Sequence, residues 1–176
     1  VEPLPAQSYN VYNNAILNLI NNQTPYEIMI NGTVDNQNVD YVVTVSLELD
    51  TLIGNQYTHI FIVEDSIFAD WSYNISGDFS DTTGYARNAV RAWNAHPLDI
   101  SEQSEYQEYA GSFNIPEGQW NSDQIKIIAM VQSAANNEVY QAAQSNINNL
   151  VAHDIDGDGL NGNDDNCPLV YNPDQE

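Results

Sequence analysis

Acidic side chains near the end of the chain are spaced as ligands for a calcium ion. Calcium takes roughly six to eight oxygen ligands, and a loop can supply them from positions 1, 3, 5, 7 and 12, with glycine at position 6. With Asp154 as position 1, the five ligand positions hold Asp154, Asp156, Asp158, Leu160 (through its backbone carbonyl) and Asp165. Gly159 occupies position 6, where the backbone needs a positive φ. The spacing predicts a calcium loop, and the alternative is a solvated acidic run.

The composition of the whole chain agrees with a cation-binding protein. Its 176 residues include 25 acidic and only 3 basic side chains, for a formal net charge of −22. Such a surface repels phosphates, so we expect no nucleic-acid partner, and it attracts divalent cations. No apolar run is long enough to cross a bilayer, so we expect no direct membrane insertion. Amides, hydroxyls and carboxylates replace lysine as solubilising groups, which is typical of an extracellular or high-salt surface.

Hydrophobic periodicity predicts a helix followed by strands. Residues 10–21 carry one apolar stripe at helical spacing, which predicts a short N-terminal helix. The period then changes to two, as in a half-buried strand. The segment 26–32 is predicted to form a hairpin with 40–50 across the turn TVDNQN, and 57–65 is predicted as a central strand because it is apolar on both faces.

The rest of the sequence alternates between irregular and regular stretches. Residues 66–122 predict an irregular region, with a short helix or turn at YARNAVRAW, and 123–133 and 137–147 predict two more strands. About six strands without βαβ alternation predict an all-β fold, an antiparallel β-sandwich or jelly-roll. The chain is therefore expected to have three parts: an extended lead-in, a sandwich domain and an irregular, calcium-bound C-terminal arm (residues 1–7, 8–152 and 153–176).

Three segments carry a resemblance to a known sandwich. Over roughly residues 8–150 the chain is similar to the C-terminal β-sandwich of Omp28-type bacterial outer-membrane proteins, on the segments IFIVEDSI, YARNAVRAW and GQWNSDQIKIIAMVQSAANNEVYQAA. This resemblance implies a β-sandwich and an exported, cell-envelope setting, and it supplies no catalytic residues. We therefore expect an extracellular or cell-surface bacterial protein that is not an enzyme.

The end of the chain resembles a second family. DIDGDG, DNCP and NPDQ together resemble a thrombospondin type 3 repeat, in which calcium ions bind in closely spaced pairs. The resemblance implies one or two calcium ions, with Asp164, Asn166 and Asp174 helping to hold the second. It also implies that Cys167 pairs with a cysteine of an adjoining repeat, although Cys167 is the only cysteine here. Either the polypeptide continues, another molecule completes the repeat, or the thiol is free and buried.

Aromatic side chains in and beside the irregular middle form a second candidate site. Aromatic rings on sandwich loops can stack on sugars, which gives four candidates for glycan binding: Trp71, Tyr73, Trp93 and Trp120. The competing interpretation is that these rings cap the core of the sandwich. The histidines have no ligand spacing and no Ser-His-Asp or Cys-His constellation stands out, so the sequence predicts no catalytic residues.

The combined prediction is a non-enzymatic, exported, calcium-binding structural protein. Its C-terminal arm is expected to dock on a neighbouring subunit and to build a homo-oligomer or polymer, such as a filament, tube or surface layer. The alternative is a glycan- or surface-binding adhesion module in which the repeat is a calcium-stiffened spacer to another domain. A third interpretation is a non-catalytic piece of an enzyme.

Overall fold

The computed structural model describes residues 13–14, 24–49, 54–70, 83–154, 159–160, 166 and 171–174. These residues form nine β-strands and two short 3-10 helices: β1 Tyr26–Asp35, β2 Asn38–Leu47, β3 Gln56–Glu64, β4 Ile67–Asp70, β5 Thr83–Ala86, β6 Ala89–Leu98, β7 Tyr106–Asn114, η1 Ser122–Gln124, β8 Ile125–Ser133, β9 Val139–Asn146 and η2 Ile147–Asn149. Every strand pair is antiparallel, which confirms the predicted all-β antiparallel class. Of the predicted N-terminal helix, only Asn13 and Asn14 lie within the described residues, and both are helical.

Two sheets and a small hairpin make up the described fold. One sheet has three strands in the order β1-β2-β7, and the other has four in the order β6-β3-β8-β9. Strands β4 and β5 pair with each other as a separate hairpin. The predicted hairpin of β1 with β2 is confirmed, and β3 is an interior strand of its sheet, as its apolar sequence on both faces predicted.

The turn between β1 and β2 is shorter than the sequence predicted. Both strands extend into the segment TVDNQN, so that only Asn36 and Gln37 remain as the turn. Asn36 has a φ of 56°, which is the left-handed conformation that a two-residue hairpin requires and that asparagine tolerates better than most residues.

The middle of the chain is the main correction to the predicted fold. The sequence predicts an irregular region over 66–122, but its described residues contain β4, β5, β6 and β7. YARNAVRAW is neither helix nor turn as a whole, because it leaves β5, turns at Arg87 and Asn88, and continues as β6. Strands β6 and β7 are outermost in their sheets. Edge strands carry polar residues on much of their surface, so the period-two pattern that identifies a strand is diluted.

The hydrophobic core lies between the two larger sheets. Val43 of β2, Ile60 of β3 and Ile127 of β8 belong to one buried cluster, and each is at most 2% exposed. Burying such a side chain contributes about 1.5–3 kcal/mol relative to leaving it in water. Because alternate residues of a strand point to opposite sides, each sheet also has an outer face, and these two faces carry the candidate functional residues.

Candidate calcium arm and the two outer sheet faces

The C-terminal arm leaves the sandwich along the edge of β1. The backbone N–H of Gly32 donates a hydrogen bond to the carbonyl of Val151 over 2.8 Å. β1 is an outermost strand, so its outward-facing backbone groups have no partner strand and can hold a passing segment. Leu150 packs against the core just before this bond. The chain therefore enters the arm from a fixed position on the sheet.

His153 then fastens the arm to the outer face of the three-stranded sheet. Its Nε2 lies 3.0 Å from the Oε1 of Glu108 on β7. The same carboxylate oxygen accepts a hydrogen bond from the hydroxyl of Thr44 on β2, over 3.2 Å, and Thr44 and Glu108 are direct partners in the sheet register. One side chain thus ties the base of the arm, which runs along β1, to the opposite strand of the sheet.

Two depressions flank His153 on this outer face. They have volumes of about 440 and 470 Å³, and His153 lines both. Asp154, the first predicted calcium ligand, lines the larger one together with Glu48 and Glu108. Three carboxylates in the lining disfavour an anion.

The histidine on this face is not arranged as a catalytic base. A hydrolytic triad places the imidazole between the nucleophile and the acid. Here the carboxylate of Glu108 is the middle member, because both His153 and the hydroxyl of Thr44 contact it. The hydroxyl of Ser46 is also directed to an acid, since it donates to Glu48 over 2.9 Å. This arrangement orients the arm and activates no nucleophile.

Positions 1 and 6 of the predicted calcium loop lie within the described residues and contact each other. The Oδ2 atom of Asp154 accepts a hydrogen bond from the backbone N–H of Gly159 over 2.8 Å. Gly159 has a φ of +94°, a conformation that glycine adopts at little cost and that a side chain would strain. Gly159 thus has the positive φ that position 6 was predicted to need, and its N–H binds the side chain at position 1.

The other predicted ligands are only partly within the described residues. Leu160 is half-buried, Asp174 is exposed, and the Oδ1 of Asn166 accepts a hydrogen bond from the side-chain amide of Asn172 over 2.9 Å. This bond joins the DNCP segment to the NPDQ segment. The remaining four acids and the cysteine lie outside the described residues: Asp156, Asp158, Asp164, Asp165 and Cys167. Among the described part of the chain, no three His, Cys, Asp or Glu side chains converge as metal ligands, so the calcium site stays a prediction.

All three basic residues of the chain meet at one place, the end of β3. Lys126 and Arg87 both contact Asp65, over 2.8 and 3.0 Å, and the Nε of Arg91 donates to Glu64 over 2.9 Å. The side chains of Glu64 and Asp65 are only 5–6% exposed. Hydrogen bonds from Arg87 and then Lys126 hold the pKa of Asp65 well below its ordinary value. No basic side chain is therefore left to neutralise the rest of the acidic surface.

The structure describes two of the four candidate glycan-binding aromatics, and these two differ in their surroundings. Trp71 and Tyr73 lie outside the described residues. Trp120 packs against the core, and the Arg91 guanidinium lies 5.4 Å from its ring centroid, so it serves the fold. Trp93 is 57% exposed on β6, and its ring lies beside two rings of β3 that the sequence analysis did not single out, His59 and Phe61. Their spacing two residues apart on one strand was the signal that could have found them.

Comparison with known structures supports the sandwich fold. The structure resembles HBP35 of Porphyromonas gingivalis with a TM-score of 0.60 and 12% sequence identity, over 81% of this chain and 47% of that chain. The chain thus spans about half the length of HBP35. At this level of identity the likeness shows the fold alone.

Two looser matches add no argument. One is a domain of the outer membrane lipoprotein Omp28 from Porphyromonas gingivalis, with a TM-score of 0.41 and 12% identity, over 72% of this chain and 90% of that chain. The other is a β-glucosidase from Kluyveromyces marxianus, with a TM-score of 0.35 and 10% identity, over 70% and 14%. The sequence matches no protein-family profile and no curated protein. The β-sandwich expected from the sequence is supported at the level of fold by the likeness to HBP35, and the Omp28-type and thrombospondin type 3 resemblances stay predictions.

None of the helices among the described residues has the length and the apolar character that crossing a bilayer demands.

Proposed function

We propose that this chain is a non-enzymatic, calcium-binding structural protein of the bacterial cell surface or extracellular space. Its C-terminal arm, ordered by one or two calcium ions, would bind a neighbouring subunit and build a filament, tube or surface layer. The observation that carries the proposal is the hydrogen bond from the Gly159 N–H to the Asp154 carboxylate. It joins the two loop positions at which a calcium ligand and a left-handed turn are needed.

The distribution of charge supports a role for calcium in assembly. Two copies of a chain with a net charge of −22 repel each other. Arg87, Arg91 and Lys126 are already paired within the subunit, at the end of β3. A contact between acidic surfaces of two subunits then needs a cation from solution, and a divalent ion shared by carboxylates supplies it.

The fixed base of the arm supports a specific contact rather than a loose one. Val151 is bound to the edge of β1 and His153 to Glu108, so the predicted loop begins at a defined point. Calcium ordering of the residues that follow would give the arm one orientation on the sandwich. A head-to-tail contact of this kind makes a fibre if it does not close and a ring if it does.

The exported location is supported by the surface chemistry and by the affinity range of such sites. The surface is rich in amides and carboxylates and contains a single lysine, Lys126. Calcium sites of extracellular modules work at roughly 0.1–1 mM calcium. The resemblance of the sandwich to that of Omp28-type proteins favours the same location.

Electron microscopy with and without calcium tests the proposal. The full chain is examined in millimolar calcium, in equal magnesium, and after addition of a calcium-selective chelator. We expect ordered assemblies in calcium alone, since magnesium screens the charge equally but demands a stricter ligand geometry. Asp158→Ala should abolish assembly, while Glu117→Ala, which removes an exposed carboxylate outside the arm, should not. A chain that stays monomeric in calcium and ignores the chelator would contradict the proposal.

A further inference from the structure

Three aromatic rings lie side by side on the outer face of the four-stranded sheet. His59 and Phe61 belong to β3, and Trp93 lies directly opposite Phe61 on β6. The ring planes of this aromatic shelf (His59, Phe61 and Trp93) are within 11–19° of parallel. The three centroid separations are 5.8, 6.2 and 6.2 Å. A pile of three rings would put the outer two about twice as far apart as neighbours, so the three rings form a triangle and not a pile.

A hydrogen bond holds two of the three rings edge to edge. The Nε1 of Trp93 donates to the Nδ1 of His59 over 3.2 Å. An indole N–H and an imidazole lone pair both lie in the planes of their rings, so a bond between them sets the rings beside each other. Because indole nitrogen can only donate, His59 must accept at Nδ1, and the neutral imidazole then carries its proton on Nε2. The shelf therefore has an N–H donor at its edge as well as apolar ring faces.

The two cross-strand rows that contain the shelf carry no charged side chain, and Lys126, one row further along β8, is paired with Asp65. One cross-strand row on this face reads Ala95, His59, Met130 and Ala142, and the next reads Trp93, Phe61, Ile128 and Gln144. Neither row contains an acidic or basic side chain, although the chain as a whole has a net charge of −22. Gln144 is exposed at the far end of the second row and offers an amide to a polar ligand. An uncharged, largely apolar area on so acidic a protein marks a binding surface.

We infer that the aromatic shelf binds a neutral carbohydrate, whose pyranose rings stack on His59, Phe61 and Trp93. A pyranose with equatorial hydroxyls, such as glucose, has a flat face of C–H groups that fits aligned ring faces. Its rim of hydroxyls can pair with the His59 Nε2–H and the Gln144 amide. A second copy of this chain is a poorer occupant, because it would bring a charge of −22 against an equal charge.

Binding of gluco-oligosaccharides to the full chain tests this inference. Cellohexaose and maltohexaose are titrated by calorimetry and by tryptophan fluorescence, with an oligogalacturonate and hexalysine as anionic and cationic probes. We expect at least one neutral probe to bind, and to bind equally in calcium and in chelator. This independence from calcium distinguishes the shelf from the proposed calcium-dependent assembly, so that either can fail alone.

Variants locate the binding surface. Trp93→Ala should weaken binding of the neutral probe by about tenfold or more, as loss of a central aromatic anchor does. Phe61→Ala should also weaken it, and circular dichroism checks that both variants fold. Tyr106→Ala is the matched control, because Tyr106 is 58% exposed on the outer face of the other sheet. Binding of neither neutral probe, unchanged affinity in both shelf variants, or binding of hexalysine alone would overturn the inference.

Discussion

The two outer faces of the sandwich differ in charge, in chemistry and in what lies on them. The face of the three-stranded sheet carries Glu48, Glu108 and the base of the arm, with His153 between two depressions. The central rows of the four-stranded sheet carry aromatic rings and aliphatic side chains without a charge. Both faces are supported by one core. The two proposals, calcium-dependent assembly and calcium-independent carbohydrate binding, therefore rest on opposite faces of the sandwich.

The largest effect is expected from a substitution in the hydrophobic core, because both faces depend on it. Ile127 is fully buried in β8, so Ile127→Ala leaves a cavity and should cost about 2–5 kcal/mol of unfolding free energy. Urea denaturation measures the loss. Calcium response and saccharide binding should then fail together with rising urea, and a variant in which one function survives far beyond the other would show that the faces do not depend on a common core.

Acid should lower the free energy of unfolding through the ion cluster at the end of β3, which lies on the same sheet as the shelf. The pKa of Asp65 lies below its ordinary value of 3.8 because Arg87 and Lys126 donate to it. A carboxyl whose pKa is lowered by folding stabilises the fold above its unfolded pKa, and the stabilisation is lost as the pH falls below that value. Asp65→Asn should therefore be less stable than the natural chain at pH 7, and the gap should narrow towards pH 3.

Urea midpoints of both proteins at pH 7, 5 and 3 measure this gap. Comparing the two proteins cancels the titration of the other carboxyl groups. A gap that stays constant with pH would mean that the ion pairs of Asp65 contribute nothing in the folded state.

A smaller change should affect only the acidic face. His153→Ala removes the contact with Glu108, and a hydrogen bond of this kind contributes on the order of 1 kcal/mol. Because Gly32 donates to Val151 beside the arm, its amide should exchange faster with solvent in the variant. Hydrogen exchange measured by NMR checks this, with the amides of β3 as the internal control. Unchanged protection of Gly32 would mean that His153 does not hold the base of the arm.

The smallest effect is expected from a conservative substitution in the aromatic shelf, on the outer face of the four-stranded sheet. Trp93→Phe keeps an aromatic ring but removes the N–H donor to His59. Saccharide affinity should therefore fall only a few-fold, far less than in Trp93→Ala. Burial lowers the pKa of His59, which keeps the imidazole neutral and able to accept from Trp93 at neutral pH. NMR of the Trp93 indole N–H should show the bond above the ordinary histidine pKa and its loss in acid. An indole signal that does not change with pH would contradict the bond.

The interior strands and their hairpins were predictable from the sequence. In β2, β3 and β8, apolar residues alternate or fill both faces because the strands are covered by the core. The period of two and the continuous apolar run of β3 are direct consequences of that burial. The same physics identified the pairing of β1 with β2, although not the length of the turn between them.

Two of the outermost strands, β6 and β7, and the aromatic shelf were not predictable in the same way. In β6 most side chains are exposed, and a bulge near Ile62 and Val63 of its partner interrupts the register, so local pattern loses its meaning. The shelf joins residues 34 positions apart, His59 and Trp93. Such a contact depends on strand order, which periodicity does not specify. The contact between Asp154 and Gly159, by contrast, joins residues only five positions apart, so the spacing of the sequence could suggest it.

Calcium titration of the arm tests the central claim most directly. The full chain is titrated by calorimetry in a magnesium background, beside Asp158→Ala and the control Glu117→Ala. We expect one or two calcium ions per chain for the natural protein and for the control, and the loss of at least one ion in Asp158→Ala. A natural chain that binds no calcium above the magnesium background, or an Asp158→Ala variant with the same number of ions, would contradict the central claim.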